Sequence, residues 1–191
     1  MASVELPRDL EAAHPAPHPL LIELERHSRE DGVPIVSRVT GRFLSTIVTA
    51  MQANRILEVG TGYGYSTLWM ALAQPSVGRI WTIDSSVPRT DVAREYFRRA
   101  AEDDYIEAFN TPAVELLENF PHRNLDIAFF AGEETEYVRY LDLILPMLKL
   151  SGLAIFNNCS SMRGFIEHFL RHPDLDATVL PFGIGFGARR R

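Results

Sequence analysis

The sequence has little cysteine, no long apolar run and no excess of basic residues. Its 191 residues include one cysteine, Cys159, which excludes an internal disulfide and favours a reducing compartment. No apolar run approaches the ~20 residues of a membrane span, and residues 1–9 lack the basic-then-apolar order of a signal peptide. The formal net charge of -6 gives no general attraction for nucleic acid. These absences predict a cytoplasmic protein without membrane or nucleic-acid partners.

The composition is that of a chain with one full hydrophobic core. Apolar residues make up 46% of the sequence and charged residues 23%, which predicts a single globular domain over residues 20–191. Residues 1–19 contain Pro7, Pro15, Pro17 and Pro19. Because proline interrupts regular structure, this segment is predicted to be an irregular arm that packs on a partner subunit.

Strand and helix patterns alternate along the domain. Short apolar runs predict strands at residues 55–59, 79–83, 105–109, 125–130 and 153–156. Helical patterns separate them, and the longest covers residues 133–148. Two further runs, residues 177–182 and 185–189, indicate a closing hairpin. This order predicts an α/β fold with a mostly parallel sheet, one antiparallel strand and helices on both faces.

A glycine-rich turn links the first strand to the next helix. Gly60, Gly62 and Gly64 let a ligand approach the backbone closely and expose helix N-terminal N–H groups. A dinucleotide-binding turn has the spacing G-x-G-x-x-G, but Tyr65 stands where the last glycine belongs, which disfavours a nicotinamide oxidoreductase. Glu58 precedes the turn, and its carboxylate suits a ligand with cationic or hydroxyl groups better than a pyrophosphate. The alternative is a tight turn that binds no ligand.

A second acid, Asp84, stands at the end of the second predicted strand. In a doubly wound sheet this strand end lies beside the glycine turn. A carboxylate there can accept two hydrogen bonds from a ribose diol, and Asp84 has the usual interval of about 20 residues from the turn. The alternative is a helix N-terminus, because Ser85, Ser86 and Pro88 also favour a helix start.

The pattern E-x-G-x-G-x-G resembles motif I of methyltransferases that use S-adenosylmethionine. From Leu20 onwards the chain resembles the cation-dependent O-methyltransferases, which include the catechol and caffeoyl-CoA enzymes and their bacterial relatives. The most specific matches are residues 56–66, 82–84, 111–113, 125–129, 157–158 and 180–185. The resemblance implies a Rossmann-like, seven-stranded sheet with an antiparallel C-terminal hairpin, S-adenosylmethionine as methyl donor, and a homodimer.

The resemblance also implies a cofactor site. It places Val36 over the methionine part, Glu58 at the amino-acid end and Ser66 on the methionine carboxylate. It assigns Asp84 to the ribose and the Ala113 backbone to adenine. The remaining cofactor-binding positions are Gly60, Thr61, Gly62 and Ala131.

The positions that hold a divalent ion in the family are altered here. The family uses an aspartate after strand four and an Asp-Asn pair after strand five, and the matching residues are Ala131, Asn157 and Asn158. Ala131 has no ligand atom, and hard cations such as Mg²⁺ prefer carboxylates, so no tight divalent metal is expected. Glu133 and Glu134 are possible substitutes, but acids are also favoured in the first turn of a helix.

The family's catalytic lysine position is also altered, because Glu134 occupies it. Glu134 is therefore the candidate catalytic base for an acidic hydroxyl. These matches predict O-methyl transfer to a small hydroxylated acceptor without the family's metal. The alternative is a degenerate, non-catalytic protein that binds S-adenosylmethionine or S-adenosylhomocysteine.

The histidines indicate no metal cluster. His168 and His172 are four residues apart on the last predicted helix, a spacing that can chelate an ion. No third ligand follows them in the sequence. The pattern therefore favours two solvent-facing helix residues.

Overall fold

The computed structural model describes residues 13–190, and its strands form a single sheet. The strands are β1 (Arg55–Val59), β2 (Arg79–Ile83), β3 (Ile106–Phe109), β4 (Leu125–Phe130), β5 (Leu148–Phe156), β6 (Leu175–Val179) and β7 (Gly185–Arg189). The helices within this range are α1 (Pro19–Glu30), α2 (Arg38–Met51), α3 (Tyr65–Ala71), α4 (Val87–Arg99), α5 (Ala113–Glu118), α6 (Tyr137–Ile144) and α7 (Arg163–Leu170).

The sheet has seven strands in the order β3-β2-β1-β4-β5-β7-β6. Strands β1 to β5 are parallel, and β7 runs antiparallel to both β5 and β6. The predicted mostly parallel sheet with an antiparallel C-terminal hairpin is confirmed. Strand order reverses between β1 and β4, which is the point where ligands bind in open α/β sheets.

Two hydrophobic cores cover the two faces of the sheet. Side chains of a strand point alternately to opposite faces, so Ile56 belongs to a core that includes residues of α1, α2, α3 and α4. Its neighbour Leu57 belongs to the core on the other face, which includes residues of α5, α6 and α7. Both residues are fully buried, and the predicted placement of helices on both faces of the sheet is confirmed.

The prediction of one long helix over residues 133–148 is wrong. Only α6 is α-helical, and it lies between the 3-10 turns Glu134–Glu136 and Leu145–Met147. Pro146 has no backbone N–H and ends the helix. Strand β5 therefore begins at Leu148 rather than at residue 153, and its pairing with β4 shifts register between Leu125 and Ile127.

The predicted proline-rich arm lies mostly outside the described residues. Its described end, residues 14–18, has no helix or strand. Arg42 donates a hydrogen bond of 2.5 Å to the Pro15 carbonyl, which attaches this end to α2. Among residues 13–190, no helix combines the length and apolar character needed to cross a membrane.

Candidate functional site

A cavity of about 480 Å³ opens above the carboxyl ends of β1, β4 and β5. Its walls contain six of the predicted cofactor-binding residues, namely Val36, Gly60, Thr61, Gly62, Ser66 and Ala131. The same walls contain the candidate base and the altered metal positions, Glu134, Asn157 and Asn158. The fold thus brings most of the predicted cofactor residues and the altered acceptor-side residues to one cavity. Three predicted residues are not in its walls: Glu58, Asp84 and Ala113.

The glycine turn presents bare backbone to this cavity. A Cβ atom on Gly62, whose φ is +52°, would meet nothing closer than the Pro34 carbonyl oxygen at 4.0 Å. A side chain at this position would therefore enter open space. At Gly60, whose φ is +101°, a Cβ atom would lie 2.7 Å from the carbonyl carbon of Ala131. The absence of a side chain at Gly60 thus lets the end of β1 and the segment after β4 lie close to each other. The absence of a side chain at Gly62 leaves room for a ligand.

Glu58 lies beneath the turn and is fully buried. Its carboxylate accepts hydrogen bonds from Ser66 Oγ at 2.5 Å, from Thr82 Oγ1 at 2.7 Å and from Thr67 Oγ1. Thr82 reaches it because parallel pairing aligns Glu58 with Thr82 across β1 and β2. Burial raises the pKa of Glu58 to about 7, although the three hydroxyl donors oppose this shift.

Ser66 lines the cavity and contacts Glu58, which does not line it. When Glu58 is ionised, the Ser66 proton points to the carboxylate. A hydroxyl has one proton to donate and two lone pairs, so the Ser66 hydroxyl can then accept a further hydrogen bond but cannot donate one. The direct contact predicted between Glu58 and the amino-acid end of the cofactor stays a prediction.

Asp84 follows β2 and connects two backbone segments. Its Oδ2 accepts from the Gly62 N–H at 2.8 Å, and its Oδ1 accepts from the Ser86 N–H at 2.8 Å. The side chain thus orders both the glycine turn and the start of α4. Each carboxylate oxygen keeps a further lone pair, so the ribose role stays a prediction. Ala113 is half-buried at the start of α5, beyond β3, and its contact with adenine is likewise a prediction.

The acceptor side of the cavity contains one charged side chain among its lining residues, Glu134. Its Oε1 accepts a hydrogen bond of 2.5 Å from Asn158 Nδ2. Asn158 has a φ of +55°, a left-handed conformation that asparagine tolerates better than most residues. The backbone after β5 thus directs an amide donor at the carboxylate that follows β4.

Tyr137 is a further wall residue for which the sequence pattern gives no signal beyond an apolar helical position. Its hydroxyl lies 3.1 Å from the Phe130 carbonyl oxygen and 2.9 Å from that of Asn157. It therefore joins the ends of β4 and β5. Burial raises the pKa of Tyr137 well above its usual range, so the phenol stays protonated and acts as a donor.

The sequence profile of the O-methyltransferase family matches residues 12–168. Tapetum-specific methyltransferase 1 of Arabidopsis thaliana is 33% identical over 156 residues, which are 76% of this chain and 66% of that protein. Catechol O-methyltransferase of Mycobacterium tuberculosis is 27% identical over 160 residues, 76% of this chain and 73% of that protein. The chain thus spans about two thirds to three quarters of the length of these relatives.

A solved structure shows the same fold. The O-methyltransferase from Bacillus cereus in complex with S-adenosylhomocysteine superposes with a TM-score of 0.84 at 23% sequence identity. The superposition covers 96% of this chain and 96% of that chain. The profile match covers most of the sequence, and the chain therefore belongs to the O-methyltransferase family.

Proposed function

We propose that this chain is an S-adenosylmethionine-dependent methyltransferase that methylates a hydroxyl of a small acceptor without a tightly bound divalent ion. The observation that supports this most is the single cavity that joins the open glycine turn to Glu134. The turn offers backbone to a cofactor, and Glu134 offers a carboxylate to an acceptor. The family match supports the reaction class.

S-adenosylmethionine would supply an electrophilic methyl group on a sulfonium. The open space at Gly62 fits a ligand that lies against the backbone, and a Cβ atom there would fill it. We assign the methionine part to the region of Val36 and Ser66, beside the helix α3 N-terminus. The ribose is assigned to Asp84 and the adenine to Ala113, on the side of β2 and β3.

The orientation of the Ser66 hydroxyl refines its proposed role. Its proton points to Glu58, so its oxygen suits the ammonium group of the methionine part rather than the carboxylate. Glu58 would then act on the ammonium through Ser66 as a positioning residue. A buried negative charge beneath the hydroxyl also favours a cationic group above it.

The donor set does not fit the divalent ion of the family. Ala131 offers no side-chain oxygen, and Asn157 and Asn158 offer neutral amides. The one carboxylate in the cavity wall, that of Glu134, already accepts from Asn158. Hard divalent ions prefer several carboxylate oxygens, so we propose that no tight site exists here and derive no catalytic step through a metal.

Glu134 is proposed as the general base. An acceptor hydroxyl beside it would transfer its proton to the carboxylate, and the oxygen left behind is the nucleophile. Asn158 holds the carboxylate in position at 2.5 Å. Without a metal to acidify the hydroxyl, the acceptor itself must be acidic, such as a phenol. Enclosure in one cavity would provide the alignment that methyl transfer requires.

The second candidate function is a non-catalytic protein that binds S-adenosylmethionine or S-adenosylhomocysteine. The observation in its favour is the contrast between the open cofactor turn and an acceptor side that has amides and alanine where the family has acids. A turnover assay separates the two candidates. Radiolabelled S-adenosylmethionine is incubated with metal-free protein and a panel of catechols, hydroxy-nucleosides and small carboxylates. Labelled product supports the enzyme, whereas cofactor binding without product supports the second candidate.

The setting of the protein is also a proposal. We propose a homodimer, as the family resemblance implies. The one cysteine, Cys159, is a free, buried thiol in the core rather than a disulfide partner, which fits the reducing cytoplasm.

A further inference from the structure

Three side chains of types that can bind a metal meet beside α6 and the C-terminal end of α7, and none of them lines the cavity. They are Asp142, His168 and His172, and their ligand atoms all lie within 4.8 Å of one another. His168 Nε2 lies 3.5 Å from Asp142 Oδ1. The sequence shows no third ligand after the two histidines, but Asp142 of α6, which precedes them, lies beside His168 in the fold.

The positions of these side chains are set by the core beneath them. Phe165 and Phe169 of α7 are buried and stacked, with ring centroids 5.4 Å apart. Phe165 also contacts Tyr137 of α6, with ring centroids 5.4 Å apart. Helix α7 ends at Leu170, so His172 lies just beyond it rather than on the predicted helix. Its ring still lies 5.7 Å from the His168 ring.

We propose that Asp142, His168 and His172 bind a divalent ion of the Zn²⁺ type, with water completing the coordination. Two imidazoles and one carboxylate suit Zn²⁺, Ni²⁺ or Cu²⁺, whereas Mg²⁺ requires oxygen ligands. Bonds of ~2.1 Å to a tetrahedral Zn²⁺ place neighbouring ligand atoms about 3.4 Å apart. The 3.5 Å between His168 and Asp142 already matches that spacing.

His172 must give up a hydrogen bond to join the site. His172 Nδ1 accepts a hydrogen bond of 3.2 Å from the Asp174 N–H. Coordination through either ring nitrogen removes this bond, because a neutral imidazole that binds a metal through Nε2 carries its proton on Nδ1. The His168 and Asp142 side chains are also 40% and 58% exposed. We therefore expect weaker binding than at a buried site whose ligands are already in place.

A bound ion would connect α6 to α7. These helices follow the segments that carry Glu134 and Asn158, so the ion would stabilise the frame of the acceptor side without entering the cavity. The proposed site differs from the family's metal site in its ligands. Two imidazoles would bind an ion such as Zn²⁺, and Mg²⁺ would not compete for them. Ions such as Zn²⁺ would then raise the stability of the folded protein without taking part in methyl transfer.

Calorimetric titration of ZnCl₂ into the full chain without an affinity tag tests the proposal. We expect one ion per chain, and a rise in melting temperature that grows with Zn²⁺ concentration. His168→Ala and Asp142→Asn should each weaken binding by ~10-fold or more. The matched control is His14→Ala, which removes an exposed histidine of the arm, and its affinity should equal that of the wild type.

Three results would overturn the proposal. The first is no Zn²⁺ binding by the wild type, and the second is unchanged affinity in both the His168→Ala and Asp142→Asn variants. The third is loss of binding in Glu134→Gln, which would place the ion in the cavity. Asp142 is exposed, so Asp142→Asn should fold like the wild type. If His168→Ala does not fold, the affinity of Asp142→Asn alone decides the test. None of these readouts depends on methyl transfer.

Discussion

Ser66 lines the cavity, and its hydroxyl donates a hydrogen bond of 2.5 Å to the buried carboxylate of Glu58. The hydroxyl of a cavity-lining residue is thus oriented by an acid that is not part of the cavity wall. Because burial raises the pKa of Glu58 to about 7, this orientation depends on pH near neutrality. Glu58 therefore links the stability of the glycine turn to its proposed function.

Glu58→Gln should change the pH dependence of stability. The folded-state pKa of about 7 lies above the ordinary value of 4.5, so the folded protein resists ionisation. The wild type should lose stability as pH rises from 4.5 through 7, while the glutamine variant has no such group. Between about pH 5 and pH 8, the free energy of unfolding of the wild type should fall by about 2–3 kcal/mol relative to that of the variant. Urea unfolding of both proteins at the two pH values measures this, and a constant difference would refute it.

Asp84→Ala should weaken cofactor binding. The change removes the proposed ribose acceptor and the acceptor for the Gly62 N–H. We expect a loss of about 1–3 kcal/mol, or roughly 5- to 150-fold in the dissociation constant of S-adenosylhomocysteine. Calorimetry gives the value, with Asp91→Ala as control because Asp91 is an exposed residue of α4 paired with Arg94. If both variants bind like the wild type, Asp84 is not part of the site.

Two glycine substitutions should separate binding from folding. In Gly62→Ala the added Cβ atom would have the Pro34 carbonyl oxygen, at 4.0 Å, as its nearest neighbour. The substitution should lower the free energy of unfolding by about 1 kcal/mol, because the backbone at this position is left-handed. Its methyl group enters the cofactor space, so affinity for S-adenosylhomocysteine should fall by ~10-fold or more. Gly60→Ala would contact the Ala131 backbone at 2.7 Å and should destabilise the fold by about 3 kcal/mol or more. Full affinity in a folded Gly62→Ala protein would contradict the proposed cofactor position.

Glu134→Gln should lower turnover without altering cofactor binding. A general base contributes ~10²–10⁴-fold to a reaction rate, so kcat should fall by at least ~10²-fold with an accepted substrate. The affinity for S-adenosylhomocysteine should stay within ~2-fold of the wild type. Glu133→Gln is the matched control, because Glu133 is an exposed neighbour whose side chain accepts from Thr135. Equal losses in both variants would remove Glu134 from its proposed role.

The sequence predicts the strands near the site well, because each is a short apolar run between clear turn signals. Strands β1, β2 and β4 begin and end at the predicted residues. Helix α6 is shorter than predicted because one apolar pattern runs on past Ile144, through Pro146 and into β5. Periodicity alone does not separate the end of a buried helix from the start of a buried strand.

The sequence does not show which side chains from different helices and strands contact one another. The hydroxyls around Glu58 come from α3 and β2, and Thr82 meets Glu58 only through the pairing of two parallel strands. Asp142 and His168 are likewise 26 positions apart and meet only when α6 packs on α7. Side-chain partners of this kind depend on strand register and helix packing, which no local pattern encodes.

A calorimetric titration of S-adenosylhomocysteine into metal-free protein, followed by addition of Mg²⁺, tests the central claim most directly. We expect the nucleoside to bind at one site per chain, and we expect Mg²⁺ to produce no further heat and no change in methyl transfer. Absence of binding, or a clear Mg²⁺-dependent heat or activity, would contradict the proposed metal-independent methyltransferase.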